Sequence, residues 1–151
     1  MEKTFNKISE SLFTYLKDNE HLIITLDAEN SQFIRFNKAS VRQTGLVDDA
    51  SIGLKYIANG RTCRGAFTVS GQEDVDNQRG KVEIDRMRIE SNEIPEDPFI
   101  VLPNNFGSSH EINNVNNLPF ENAVNALTPA MQGVDFVGVW VSGKIFRGNA
   151  N

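Results

Sequence analysis

Two histidines and one cysteine, His21, His110 and Cys63, are the soft metal donors of this 151-residue sequence, and they lie far apart. His110-Glu111 is the one fragment that resembles a metal motif. A helical zinc site places a second histidine one turn further on, so that both imidazoles face one ion and the glutamate serves as general base. Asn114 and Val115 occupy the positions where that histidine would fall, and the surroundings read as loop. Two distant histidines without a second cysteine leave little material for a transition-metal centre. Cys63 has no intrachain disulfide partner; between Thr62 and Arg64 in a strand pattern it reads as a small, partly buried residue rather than a reactive thiol. Ser108-Ser109-His110 is no evidence for a nucleophilic triad, because a triad is defined by spatial roles and not by adjacency. The acidic groups Asp48-Asp49 and Glu73-Asp74-Asp76 could hold calcium or supply an acid and a base. They read more simply as a strand turn and as the start of a helix, whose dipole favours negative charge. Gly60 and Gly65 flank single strands without a following helix N-terminus, so no phosphate-cradling loop is formed.

Arg35, Arg42, Arg61, Arg64 and Arg147 are more informative as a set. Strand alternation could bring several of them onto one solvent face of a sheet, where a guanidinium fork suits a substrate carboxylate or an acidic partner. The plainer reading is a solvated sheet face. A formal charge of −5 argues against a nucleic-acid partner, since phosphate binding relies on clustered Lys and Arg releasing counterions. With 39% hydrophobic and 23% charged residues the composition is that of an ordinary globular domain, and the length fits one domain with one core. No apolar run approaches the roughly 18 residues of a membrane span, and the N-terminus lacks a continuous apolar signal region, so a cytoplasmic protein is expected.

The elements that must position these residues centre on residues 32–71. This stretch reads as three extended segments, residues 32–48, 50–60 and 61–71, separated by turn residues. Ile52, Leu54 and Tyr56 alternate with Ser51, Gly53 and Lys55, which puts the apolar side chains on one face of a pleated strand. Asn59-Gly60 favours the positive backbone dihedrals of a tight hairpin. Before this meander, Phe5, Ile8, Leu12 and Leu16 recur at helical spacing over residues 3–18 and would cover it. Leu22, Ile24 and Leu26 form a short strand ending in a turn at residues 27–31. After the meander, Val75, Val82 and Ile89 at seven-residue spacing predict a helix over residues 73–91, despite a cost of about 1 kcal/mol for Gly80; a strand over residues 81–89 is the alternative. Pro95, Pro98 and Pro103 mark an irregular connection, followed by an asparagine-rich exposed loop, the expected mobile segment, over residues 104–117. Phe120, Val124, Leu127 and Met131 return to helical spacing, limited by Pro129. Residues 134–141, VDFVGVWV, form an apolar strand that should be covered on both faces, with a turn at Ser142-Gly143 and a return strand over residues 144–151; its second face either packs under the helices already named or docks against a partner or a continuation of the chain. Within that terminal hairpin Trp140 is a core or interface residue.

Two stretches carry a resemblance. RFNKASVRQTGLVDDASIGLKYIANGRTCRGAF, residues 35–67, resembles the N-terminal domain of the TldD/PmbA metallopeptidase family, with a strand bearing Arg and Asn, then Gln43-x-Gly45, an alternating apolar strand and the Asn59-Gly60-Arg61 hairpin. GVDFVGVWVSGKIFRGNAN, residues 133–151, is similar to that family's later glycine-rich strand and its return through an aromatic residue and Arg-Gly. Order and spacing match over nearly the whole chain.

The resemblance implies an α+β fold, a small antiparallel sheet packed against two or three helices, in a single domain over residues 1–151 that belongs to a longer chain. It implies that the family's zinc-binding helix lies beyond this region, so that this segment holds no cofactor and zinc belongs to the full-length protein if that is the catalytic subunit. It further implies a metallopeptidase or its catalytically silent partner, a history as a modulator of DNA gyrase, a peptide or unfolded polypeptide as ligand, and a homo- or hetero-dimeric subunit partner, with no nucleic acid and no membrane. On that reading Arg35, Arg61 and Arg147 stand near the opening of a peptide channel. The alternative is a free-standing α+β interaction module without enzymatic activity.

Overall fold

The computed structural model describes residues 1–104, 107–116 and 118–151. Among the described residues three α-helices, α1 (Glu2–Thr14), α2 (Glu73–Ser91) and α3 (Phe120–Leu127), accompany four strands, β1 (Glu20–Asn37), β2 (Ser40–Ala58), β3 (Arg61–Thr68) and β4 (Gly138–Ala150). The strands form one antiparallel sheet in the order β3-β2-β1-β4. The expected α+β class, helices on a small antiparallel sheet, is therefore what the chain adopts. Among the described residues no helix is long and apolar enough to cross a membrane.

Strands β1, β2 and β4 are longer than their sequence pattern suggested, and three expected breaks are absent. Residues 27–31 do not turn: β1 runs straight through them, with Ala28 and Ser31 buried and the polar Asp27 and Asn30 exposed. The reversal comes at Lys38-Ala39, where both residues adopt positive φ, 49° and 52°. Nor is there a break at Asp48-Asp49, which lie inside β2 rather than at a turn. At the C-terminal end, Ser142-Gly143 sits within β4, so the expected terminal hairpin is one continuous strand. Gly143 is required there for another reason: a Cβ would collide with the backbone of Asn30 and Ser31. A glycine that looked like a turn is a point of close strand approach. The Asn59-Gly60 hairpin does form, with φ of 49° and 68° and with Ala58 opposite Arg61.

The chain divides into two compact units. The first comprises Met1–Ala28, Asp49–Ser108 and Phe146–Asn151. Its core joins Phe5, Ile8 and Leu12 of α1 to Leu22, Ile24 and Leu26 of β1, to Ile52, Leu54 and Tyr56 of β2, and to Ile84 and Met87 of α2. Helix α2 occupies the expected residues but turns a different face inward. Val75, Val82 and Ile89, the residues that suggested the helix, are 38%, 54% and 70% exposed, whereas Asp76, Gly80, Ile84, Met87 and Ser91 are buried. The inward stripe thus contains an acid, a glycine and a serine. Gly80 is there because a Cβ would come within 2.7 Å of the Leu12 side chain, and its removal lets α1 and α2 approach. Asp76 accepts hydrogen bonds from the Ser70 and Gly71 N–H groups at 2.8 and 3.0 Å and from the Ser70 hydroxyl, closing the turn before the helix.

The second unit comprises Glu29–Asp48 and Ser109–Ile145. Its buried centre is small: Ile34 and Phe36 of β1, Ala123 of α3 and Met131 of the short 3-10 helix Thr128–Met131 that continues α3. Phe120, Phe136 and Trp140 pack around them, Phe136 edge-on to Phe36 at 5.7 Å and Trp140 tilted against Phe120 at 6.2 Å. Of the asparagine-rich segment, residues 105, 106 and 117 lie outside the described residues.

Candidate functional site: a bare apolar sheet edge

Strand β4 has one neighbour, β1, so its outer backbone groups face no other strand among the described residues. From Gly138 to Gly143 its residues separate by parity, a pattern that ends at exposed Lys144. Gly138, Trp140 and Ser142 are half-buried, while Val137 just before the strand and Val139, Val141 and Ile145 on it are 69%, 62%, 56% and 65% exposed. Gly143 continues the exposed series without a side chain. The strand expected to be covered on both faces is covered on one. Soluble proteins ordinarily blunt such an edge with charge, proline or a covering element, and a row of β-branched residues does the opposite. Chemically, the arrangement offers alternating N–H and C=O groups for an extended chain and an apolar strip beside them.

The ionisable groups of the first unit are arranged for cohesion. Glu20, at the start of β1, accepts two hydrogen bonds from Arg88 of α2, one from the Tyr56 hydroxyl and one from the Lys17 N–H, each at 2.8 Å. Arg88 also donates to the Tyr15 carbonyl and to Asp85, and its guanidinium lies 4.8 Å from the centre of the Tyr15 ring. Burial pushes the Glu20 carboxyl up, but the bonds from Arg88, Lys17 and Tyr56 outweigh it and hold it at about 2. Burial and the neighbouring Glu20 carboxylate push the Tyr56 hydroxyl up. With both carboxylate oxygens engaged, this group is a clamp between α1, β1, β2 and α2 rather than an acid or base awaiting a substrate. Nothing in the sequence flagged it, because Glu20 and Arg88 are 68 positions apart.

The arginines are dispersed. Arg61 donates to the carbonyls of Ile94 and Asn59 and pairs with Glu96 at 3.1 Å, pinning the proline-rich connection. Arg147 pairs with exposed Asp27 at 2.8 Å. These two stand on opposite edge strands, β3 and β4, about 14 Å apart at the usual strand spacing. Arg35 belongs to the second unit, where it lies over the Phe33 ring and donates to Gln43. Arg42 and Arg64 are exposed.

The donors of the possible metal motif do not converge. His110 and Glu111 are exposed and outside any helix, Cys63 is buried on β3, and among the described residues no group of three His, Cys, Asp or Glu side chains could hold an ion. Burial pushes the Cys63 thiol up, with the nearby Glu90 adding to the effect, which fits an inert core cysteine. The residues present do not fit a zinc centre. An uncovered second face was one of the two expectations for residues 134–141; what the turn-like Ser142-Gly143 hid is that the exposed stripe continues on one strand to Ile145.

No family model matches the sequence, and no curated protein sequence matches it either. Its structure is similar to TldE from Thermococcus kodakarensis, with a TM-score of 0.63 and 11% identity, over 97% of this chain and 36% of that one. It is also similar to a candidate modulator of a DNA gyrase from Thermotoga maritima, with a TM-score of 0.55 and 10% identity, over 96% of this chain and 37% of the other. The chain spans about a third of the length of each. The likeness read from residues 35–67 and 133–151 is thus borne out at the level of the fold: this chain has the α+β architecture found within TldE and its gyrase-modulator counterpart.

Proposed function

We propose that this chain is the non-catalytic N-terminal domain of a TldD/PmbA-type zinc metallopeptidase, or of its catalytically silent partner subunit, working in the cytoplasm, and that it helps to enclose a peptide and to form a subunit contact. The observation that carries the reading is the bare β4 edge with Val137, Val139, Val141 and Ile145 in water beside it. Covering such residues is worth on the order of 1 kcal/mol each, and backbone pairing along the strand adds affinity largely independent of sequence. The fold likeness to TldE supports the family. If the longer protein is the catalytic subunit, its zinc belongs to the remainder of that protein rather than to any residue here. Arg147, on the same strand and paired with exposed Asp27, is proposed to contact the bound peptide, while Arg61 contributes by fixing the connection at Ile94.

The test uses a labelled, extended apolar peptide incubated with the purified chain. Binding seen by fluorescence anisotropy, without cleavage seen by mass spectrometry, is expected. A V139K/V141K variant should keep its circular dichroism and lose about tenfold or more in affinity, the equivalent of about 1.4 kcal/mol. Hydrolysis by this chain alone, or unaltered binding in the variant, contradicts the proposal.

A further inference from the structure

The other flank of the second unit has the opposite chemistry. From Asn30 to Val47 the sequence contains no Asp or Glu and carries Arg35, Lys38 and Arg42, leaving twelve basic and twenty acidic residues to the rest of the chain. These three cations sit on the hairpin formed by the end of β1 and the start of β2, and all are exposed. Strand β3 pairs with β2 only from Ser51 onward, with one further bond from the Val69 N–H to the Ala50 carbonyl. Residues 40–48 of β2 therefore present an outer backbone edge that no described strand covers, and Leu46 on it is 82% exposed.

The geometry arranges the charges around that edge. Phe33, Arg35, Gln43 and Gly45 share one face: the Arg35 guanidinium lies 5.4 Å from the centre of the Phe33 ring and donates to Gln43, and a Cβ on Gly45 would come within 2.5 Å of that ring. Arg42, adjacent to Gln43, points to the other face by strand alternation. Lys38 caps the tip in a left-handed conformation, φ 49°, followed by Ala39 at 52°. Neither residue relieves that conformation as Asn59-Gly60 does in the second hairpin, and such backbone costs roughly 1 kcal/mol per residue. Ala39 is held in it by a hydrogen bond from its N–H to the Phe136 carbonyl at 3.1 Å. A strained turn that places a cation at the tip, rather than the relaxed Asn-Gly, suggests that the cation is wanted there.

We propose that this hairpin docks an extended, acidic polypeptide segment, which adds a strand to the bare edge of β2 while its carboxylates meet Arg35, Lys38 and Arg42. Backbone N–H and C=O groups along the edge match a peptide rather than a phosphodiester chain. The site is separate from β4, which lies on the other side of β1, and does not depend on the function proposed for that strand.

The experiment compares rhodamine-labelled nine-residue peptides of repeating Glu-Glu-Thr, or of repeating Gln-Gln-Thr, by anisotropy against the intact chain, so that carboxylates fall on both faces of an added strand. The Glu peptide is expected to bind about tenfold tighter at low salt, as three exposed pairs of about 0.5 kcal/mol each would give, with the preference shrinking at high salt. An R35Q/K38Q/R42Q variant with unchanged circular dichroism should bind both peptides alike, and V139K/V141K should keep the preference, which separates this site from the β4 edge. Equal binding of the two peptides by the unmodified chain overturns the proposal. So does a triple variant that self-associates yet keeps the preference, because the cations would then only guard the edge. Tighter binding of a single-stranded oligonucleotide than of the Glu peptide would also overturn it, in favour of a nucleic-acid surface.

Discussion

In the first unit, Leu12, Ile24, Ile52 and Ile84 are sealed from water and the carboxylate of Glu20 has a donor for each of its lone pairs; in the second, Ile34, Phe36, Ala123 and Met131 are buried while Val139, Val141 and Ile145 stand in solvent. Strands β1, β2 and β4 contribute residues to both, so strand propensity does not separate them. What separates them is whether the apolar positions are covered. The first unit has α1 and α2 over its sheet, held by the Gly80–Leu12 approach and the Glu20–Arg88 clamp. The second leaves outward-facing strand positions bare, which is where recognition can occur at little cost to stability.

The sharpest test of this contrast is truncation. Leu12→Ala should cost about 3 kcal/mol in urea unfolding, because α1 and α2 meet at that side chain and the void cannot close easily, whereas Ile145→Ala should stay within about 0.5 kcal/mol. Near-equal losses would erase the distinction between the units. Acid comes next. The Glu20 carboxyl titrates at about 2 in the folded chain against an ordinary 4.5, so its contribution is complete above about pH 4.5 and is lost as pH falls through 2. The amount is about 3 kcal/mol, and Glu20→Gln should flatten this part of a plot of Tm against pH. An unchanged acid limb in that variant would show that other carboxylates set it. Gly143→Val should cost about 1 to 3 kcal/mol by forcing β4 away from Asn30 and Ser31, and its effect should be local. Hydrogen exchange should then accelerate over residues 138–145 while the amides of Ile52 and Leu54 keep their protection. The smallest effect is expected for Val139→Thr with Val141→Thr, within about 0.5 kcal/mol of the parent in stability, since neither residue is buried.

Much of the fold could be read from residue pattern. The Phe5–Ile8–Leu12 stripe, the Ile52–Leu54–Tyr56 alternation and the Asn59-Gly60 turn each had a local cause that the structure retains. Helix α2 was placed correctly on the wrong face, because its buried stripe contains Asp76, Gly80 and Ser91, whose burial depends on the Ser70–Gly71 turn and on Leu12. Lys38-Ala39 carries no turn signal yet reverses the chain, and Ser142-Gly143 carries one yet lies within β4, since glycine serves both turns and close contacts and only the neighbouring strand decides which. The candidate site was legible only in part for the same reason. An apolar run at residues 134–141 was visible, but that one face of β4 is left uncovered is a property of tertiary packing that no local pattern encodes. The arginines singled out in sequence divide between a strut at Ile94, a pair with Asp27 and the cationic hairpin, with Arg64 exposed on β3.

The central claim, that β4 is an open edge able to take up an extended chain, is tested most directly by amide hydrogen exchange along residues 138–145 with and without the apolar peptide. Alternate fast and slow amides are expected in the free chain, with the fast set slowed when peptide is added. Uniformly slow exchange in the free chain, or a fast set indifferent to peptide, would contradict it.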